Sequence, residues 1–138
     1  MAGYSGTPLP KKLGIAEGHV VALIDAPDHA GALLDPLPTD VTLRHSARGR
    51  ADVSVVFCSD RRAFDRRLPQ LWDRAFPDRS VWVAWPKKSS DAFIDLTEDH
   101  VRGAVLPLGL VDVKVCAIDE TWSGLKVVVR KELRTTDR

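Results

Sequence analysis

The sequence predicts an α/β fold of three layers, an open and mostly parallel sheet that ends in a carboxyl-terminal antiparallel hairpin. Apolar runs of strand length alternate with segments of helical spacing as far as Gly109. The last two runs, 111–118 and 125–131, are separated only by Asp119-Glu120-Thr121-Trp122-Ser123-Gly124, which has room for a hairpin but not for a crossover helix. The chain has 138 residues, of which 44% are hydrophobic and 28% charged, so it can bury one self-sufficient core. We expect an arm over residues 1–13 and a single domain over 14–138.

Residues 1–13 are rich in Gly and Pro and read as an extended arm. Val20-Val21-Ala22-Leu23-Ile24 then forms a first strand over 20–25, apolar at every position as a strand buried on both faces should be, and stopped by Pro27. Asp28 is placed to cap a short helix through Leu33-Leu34, and Pro36 and Pro38 break the chain before a second strand over 41–44. Val53-Ser54-Val55-Val56-Phe57-Cys58 has the β-branched content of a central strand. After it, Asp60 caps a helix with Phe64, Leu68, Leu71 and Ala75 on one face, and Pro69 predicts a kink or a second helix. A fourth strand covers 80–85, and Thr97 caps a helix through Val101, Ala104 and Val105 that ends at Pro107 and Gly109.

Charge and cysteine usage exclude several function classes. Lys and Arg number 20 and Asp and Glu 19, spread as nine basic against eight acidic residues in 1–69 and eleven of each in 70–138. No half carries the positive field that a nucleic-acid partner requires. No apolar stretch approaches the roughly 18 residues of a membrane span, and the amino terminus lacks a signal-like region. Cys58 and Cys116 sit in separate apolar runs without metal-ligand spacing, so both read as buried thiols of a cytoplasmic protein, too far apart to form a disulfide.

The order of elements resembles the later part of the Rossmann-like class I methyltransferases, which close with such a hairpin. Four segments are in addition similar to a widespread bacterial family of small proteins that is known as a domain of unknown function. These are Gly3-Tyr4-Ser5-Gly6-Thr7-Pro8-Leu9-Pro10-Lys11-Lys12-Leu13-Gly14, Trp82-Val83-Ala84-Trp85-Pro86-Lys87-Lys88, Asp95-Leu96-Thr97-Glu98-Asp99, and Lys114 to Leu125. That resemblance implies a Rossmann-like, methyltransferase-like topology and transfers no catalytic residue.

A methyltransferase binds S-adenosylmethionine at the carboxyl end of its first strand, where a Gly-rich turn lets backbone approach the ligand and an acid after the second strand meets the ribose. This chain departs at both places, with Asp25-Ala26-Pro27-Asp28-His29-Ala30-Gly31 at the turn and Arg44-His45 where the acid belongs. The residue reading therefore favours a non-catalytic binding or regulatory protein that recognises a small anionic ligand or a protein partner, with a divergent S-adenosylmethionine-dependent methyltransferase as the alternative. No cofactor is specified.

The candidate ligand residues are Asp25, Ser59, Trp85, Lys87 and Lys88, all predicted at the carboxyl ends of strands, where open α/β sheets place ligands. Lys87-Lys88 can hold a carboxylate or phosphate; the plain alternative is a solvated loop. Cys58 lies near the same edge, yet none of His19, His29, His45 and His100 is placed by spacing to serve it as a base. Trp122 is expected in the hairpin turn, either exposed to a partner or folded over the sheet. Arg61, Arg62, Arg66 and Arg67 read as a solvated helix face paired locally with Asp60 and Asp65. The arm is expected to fold over the strand ends so that Tyr4, Ser5 or Thr7 reaches the Lys87-Lys88 loop.

Overall fold

The computed structural model describes residues 7–135. Six strands form one sheet in the order β2-β1-β3-β4-β6-β5. They are β1 (Val20–Ile24), β2 (Thr42–Arg44), β3 (Val53–Phe57), β4 (Ser80–Pro86), β5 (Leu110–Ala117) and β6 (Trp122–Val129). The first four run parallel, and β6 lies antiparallel between β4 and β5. The mixed α/β sheet and its closing hairpin are as the sequence predicts.

Alternating side chains divide into two cores. On one face Ala22, Ile24, Val56, Val83 and Trp85 meet α3 (Arg61–Arg67), α4 (Leu71–Ala75) and α5 (Glu98–Val105) through Phe64, Leu71, Trp72, Val101 and Val105. On the other, Val21, Leu23, Val55, Phe57 and Trp82 pack on α1 (Leu9–Lys12) and α2 (Ala30–Leu33) with Leu13 and Leu34. Every residue of β3 is therefore buried, the reason its sequence is apolar without alternation except at Ser54. The second layer is thin, and on the edge strand β5 Val113 and Val115 remain exposed.

Four local expectations are corrected. The arm is not extended throughout: Leu9–Lys12 make one helical turn, because Pro10 falls in the first turn, where its missing amide goes unused, and Leu9 and Leu13 dock on the second core. His29, not Asp28, stands at the cap of α2, and no side chain caps it. β6 starts at Trp122 rather than 125, since the turn is complete within Asp119–Thr121: one Asp119 oxygen accepts from both the Thr121 and Trp122 amides, closing the loop on itself. Strand β6 also ends at Val129, where Lys131–Leu133 turn into a 3₁₀ segment.

Other local readings match. Asp60 accepts from the Ala63 amide at 2.8 Å and Thr97 from the His100 amide at 3.3 Å, each capping its helix. Pro69 lies in the 3₁₀ turn Leu68–Gln70 that separates α3 from α4. Cys58 and Cys116 are both free, with β4 and β6 between their strands; Cys58 is buried as read, but Cys116, on the edge strand β5, is only partly so. Among the described residues no helix is long and apolar enough to cross a membrane. Of the arm's expected contacts, Tyr4 and Ser5 lie outside the described residues and Thr7 is exposed. Lys12 does reach the far edge, donating to the Ala117 carbonyl at 3.2 Å, and the Trp82 indole donates to the Leu13 carbonyl at 3.1 Å.

Two glycines give opposite expectations. Gly109 holds φ at 88° between the helical segment and β5, and a Cβ there would lie 2.7 Å from the Trp72 ring and 2.8 Å from Leu133. Gly103 sits in α5 with open space around it. Gly109→Ala should lower unfolding stability by about 1–3 kcal/mol through overpacking and strain. Gly103→Ala should raise it by about 0.5–1 kcal/mol through helix propensity. Urea denaturation of the two variants checks both signs.

Candidate functional site

The carboxyl ends of β1, β3, β4 and β5 and the amino end of β6 form one edge of the molecule, where Asp119 ties the chain together. Its backbone carbonyl accepts from the Lys87 ammonium at 2.8 Å, and one carboxylate oxygen meets His29 Nε2 at 3.0 Å. Burial works to raise the Asp119 pKa and is outweighed by hydrogen bonds from the Trp122 amide, His29 and the Thr121 amide, so the group is held below the ordinary carboxylate range.

Two clefts open on this edge, and the five candidate residues divide between them. A crevice of about 430 Å³ between β1 and β3 is lined by Asp25, Ser59, Asp60, Arg62, Arg66 and Trp122, among others. A cleft of about 380 Å³ beside β4 is lined by Trp85, Lys87, Lys88, Ser123 and the start of α5 at Thr97–Asp99. In the β4 cleft the two lysines face Glu98 and Asp99, so its lining charges cancel, and Lys87 is committed to the Asp119 carbonyl. Trp85 is buried in the first core, with only its edge at the cleft.

The β1–β3 crevice has the more distinctive chemistry. Its apolar wall is Phe57 and Trp122, which meet edge to face with centroids 5.1 Å apart, so Trp122 folds over the sheet end. Asp25 has φ of 57° and receives a two-pronged bond from Arg67, at 2.8 Å from Nε and 2.9 Å from Nη2. That bond, more than the opposing effect of burial, holds the Asp25 carboxyl below its ordinary 3.8. The lining holds two acids and two arginines, and Arg67, bonded to Asp25 from outside it, makes the surroundings of the crevice positive on balance.

The arginine helix is therefore not locally paired as expected. Asp60 is occupied as a cap, Arg61 turns to Asp95, bonding its carboxylate from the amide and its carbonyl from Nε, and Arg67 spans to Asp25. Phe57 lines this candidate site without any signal in the sequence reading, and Arg62, Arg66 and Trp122, read there as a solvated helix face and a turn residue, line it too. The available signal was Arg62 and Arg66 four apart on a helix that begins at a strand's carboxyl end. Cys58 is fully buried, and burial first, with the Asp25 charge second, pushes its thiol up to about 12. It is a packed thiol at neutral pH. Among the described residues no group of His, Cys, Asp and Glu is arranged to hold a metal.

Comparison with solved structures finds the same fold in methyltransferases. A SAM dependent methyltransferase from Aquifex aeolicus matches with a TM-score of 0.57 and 13% identity, over 85% of each chain. The M1A22 tRNA methyltransferase TrmK of B. subtilis matches with a TM-score of 0.53 and 11% identity, over 95% of this chain and 69% of that one. The 1,6-didemethyltoxoflavin-N1-methyltransferase of Burkholderia thailandensis, solved with S-adenosylhomocysteine, matches with a TM-score of 0.51 and 12% identity, over 86% and 73%. No family model matches the chain, and no curated protein matches it. At these identities the likeness establishes a Rossmann-like, methyltransferase-type fold.

Two outcomes test this edge. The depressed Asp25 pKa means that its ion pair contributes stability above the unfolded-state value, and that this is lost as pH falls through the folded-state value. Asp25→Asn, which keeps a residue tolerant of positive φ, should be less stable than the parent at pH 7, with the gap closing as urea midpoints are followed towards pH 2. Burial also pushes the Cys116 thiol up, but Cys116 is only partly buried, so iodoacetamide at pH 8 should modify it in the native protein slowly and leave Cys58 untouched until unfolding, as read by peptide mass; labelling of Cys58 in the folded chain would show that the crevice opens to its sulfur.

Proposed function

We propose that this chain is a divergent S-adenosylmethionine-dependent methyltransferase whose ligand site is the β1–β3 crevice. The observation that carries this reading is a crevice at the carboxyl ends of β1 and β3 that combines an apolar wall with two arginines, neither of them hydrogen-bonded or ion-paired through its side chain among the described residues, in the fold the solved methyltransferases share. The usual backbone cradle is missing, since Pro27 and the Asp25–Arg67 pair fill the turn after β1, and Arg44 ends β2 with His45 after it, where an acid would meet a ribose. The residues present suit the ligand in another way: Arg62 and Arg66 for its carboxylate, Ser59 for a hydroxyl, and the Phe57–Trp122 wall for its apolar or ring portion. Bound there, S-adenosylmethionine would supply a methyl group carried on a positively charged sulfur. Trp122 and Phe57 exclude water from one side of the crevice, and Arg67 holds Asp25 away from any proton at neutral pH.

A second reading is favoured by the same occupied turn. Here the chain is a non-catalytic binding protein that recognises a different small anion in the crevice through Arg62 and Arg66.

Calorimetric titration of the full chain with S-adenosylmethionine and with S-adenosylhomocysteine separates the two. The methyltransferase reading expects one-to-one binding of both, weakened at least about ten-fold, or about 1.4 kcal/mol, by Arg66→Ala, an exposed position whose loss leaves the fold intact. Absence of heat with either ligand at millimolar concentration would overturn it and leave the second reading.

A further inference from the structure

Away from the carboxyl edge, the link from β2 to β3 passes over the sheet face as a loop, residues 45–52, and beneath it lie two arginines without acidic partners among the described residues. Arg74 of α4 is only 8% exposed. Its Nε donates to Ser54 Oγ at 3.1 Å and its Nη1 to the Ala47 carbonyl at 2.8 Å, while Nη2 is buried with no partner among the described residues. Arg44, at the end of β2, donates from Nη2 to the Arg50 carbonyl, and its Nε is likewise buried and unpartnered. Arg44 and Ser54, the partner of Arg74, lie in one row of the sheet, since Arg44 registers against Ala22 and Ala22 against Ser54.

The loop is built around these guanidiniums. Gly49 holds φ at 74°, and a Cβ there would stand 2.8 Å from Arg44 Nη1, so glycine lets the backbone close on the side chain. Neither arginine forms an ion pair among the described residues, whose arginine pairs are instead Arg67 with Asp25, Arg102 with Glu98 and Asp112, and Arg130 with Glu132. Burial first, then the like charges of Arg44, Arg67 and Arg79, work against the charge on Arg74. Arginine does not escape by losing its proton at accessible pH, so the cation stays and calls for a counter-charge. A cleft of about 350 Å³ adjoins it, lined by Gly49, Arg50, Gln70, Asp73 and Arg74.

We infer that this cleft binds a phosphate group, with Arg74 as its cationic floor, Arg44 adding its charge from behind Gly49, and Arg50 and Gln70 as further donors. A tetrahedral oxyanion suits forked guanidinium donors, and the volume exceeds what one such ion fills. Asp73 accepts hydrogen bonds only, so the remaining space favours a phosphate monoester that carries hydroxyls over a second anionic group. The site is separate from the β1–β3 crevice: no residue lines both.

The test uses thermal unfolding and ³¹P NMR titration of the full chain at constant ionic strength, with inorganic phosphate, glycerol 3-phosphate and chloride as probes. A saturable rise in Tm with phosphate, absent with chloride, is expected, and tighter binding of glycerol 3-phosphate identifies the monoester over the free ion. Arg74→Gln should weaken phosphate at least ten-fold. Because Arg74 is part of the fold, Arg50→Ala, at an exposed side chain, provides the independent variant: its Tm without phosphate should match the parent while its phosphate affinity falls several-fold. Equal responses to phosphate and chloride, or a phosphate response unchanged in both variants, would overturn the inference. So would loss of the response in Arg66→Ala, which would place the anion in the crevice.

Discussion

The carboxyl edge of this molecule depends on the hydrogen bonds gathered by Asp119. Its side chain accepts from two consecutive amides and so makes a three-residue turn of a stretch that reads as twice as long. That turn sets where β6 begins, and Trp122 pairs with Pro86 at the end of β4 as a consequence. Strand β6 can then lie between β4 and β5, and Trp122 is delivered against Phe57 as the wall of the crevice. The backbone of Asp119 fixes Lys87 and its other oxygen fixes His29, so one residue couples the hairpin, the β4 loop and the turn after β1.

A second constraint is the shortness of the connections. A parallel crossover ordinarily carries a helix that covers the sheet, yet β2 and β3 are joined by eight residues without one. The face above Ala22 and Ser54 is covered instead by loop backbone and by two arginine stems, with Ala47 packed against the core. Guanidinium donors satisfy the loop carbonyls that a helix would have satisfied internally. The exchange leaves positive charge inside the fold, which is why the feature of this region that most invites a ligand arises from the way the chain economises on helix.

Strand identity was legible because burial on both faces demands unbroken apolar runs, and β1, β3 and β4 show them. Helix starts were legible at Asp60 and Thr97, where capping is local chemistry. The hairpin boundary was not, because Trp122-Ser123-Gly124 has turn composition while its position is decided by Asp119 and by pairing with β4. The crevice was half legible. Asp25 and Ser59 follow from their places after strands, but Arg67 finds Asp25 across 42 positions of sequence, and no local pattern announces that bond. Lys87 and Lys88 stood out as a dibasic pair, and it is the opposing Glu98 and Asp99, again remote in sequence, that change the charge of their cleft.

The turn after β1 shows how the same edge can be adapted to a different mode of recognition. A glycine-rich turn offers backbone amides, whose positions are fixed by the fold and which read a ligand's shape. Here the turn carries a carboxylate at positive φ, locked by an arginine from α3, and the rest of α3 presents its neighbours Arg62 and Arg66 to the crevice. Locking Asp25 anchors α3 against β1, so the two outward arginines project from a helix held at its amino end by Asp60 and near its carboxyl end by Arg67. On the proposed reading, recognition passes from backbone to side chains: charge decides what is attracted, and the aromatic wall decides which body that charge is attached to.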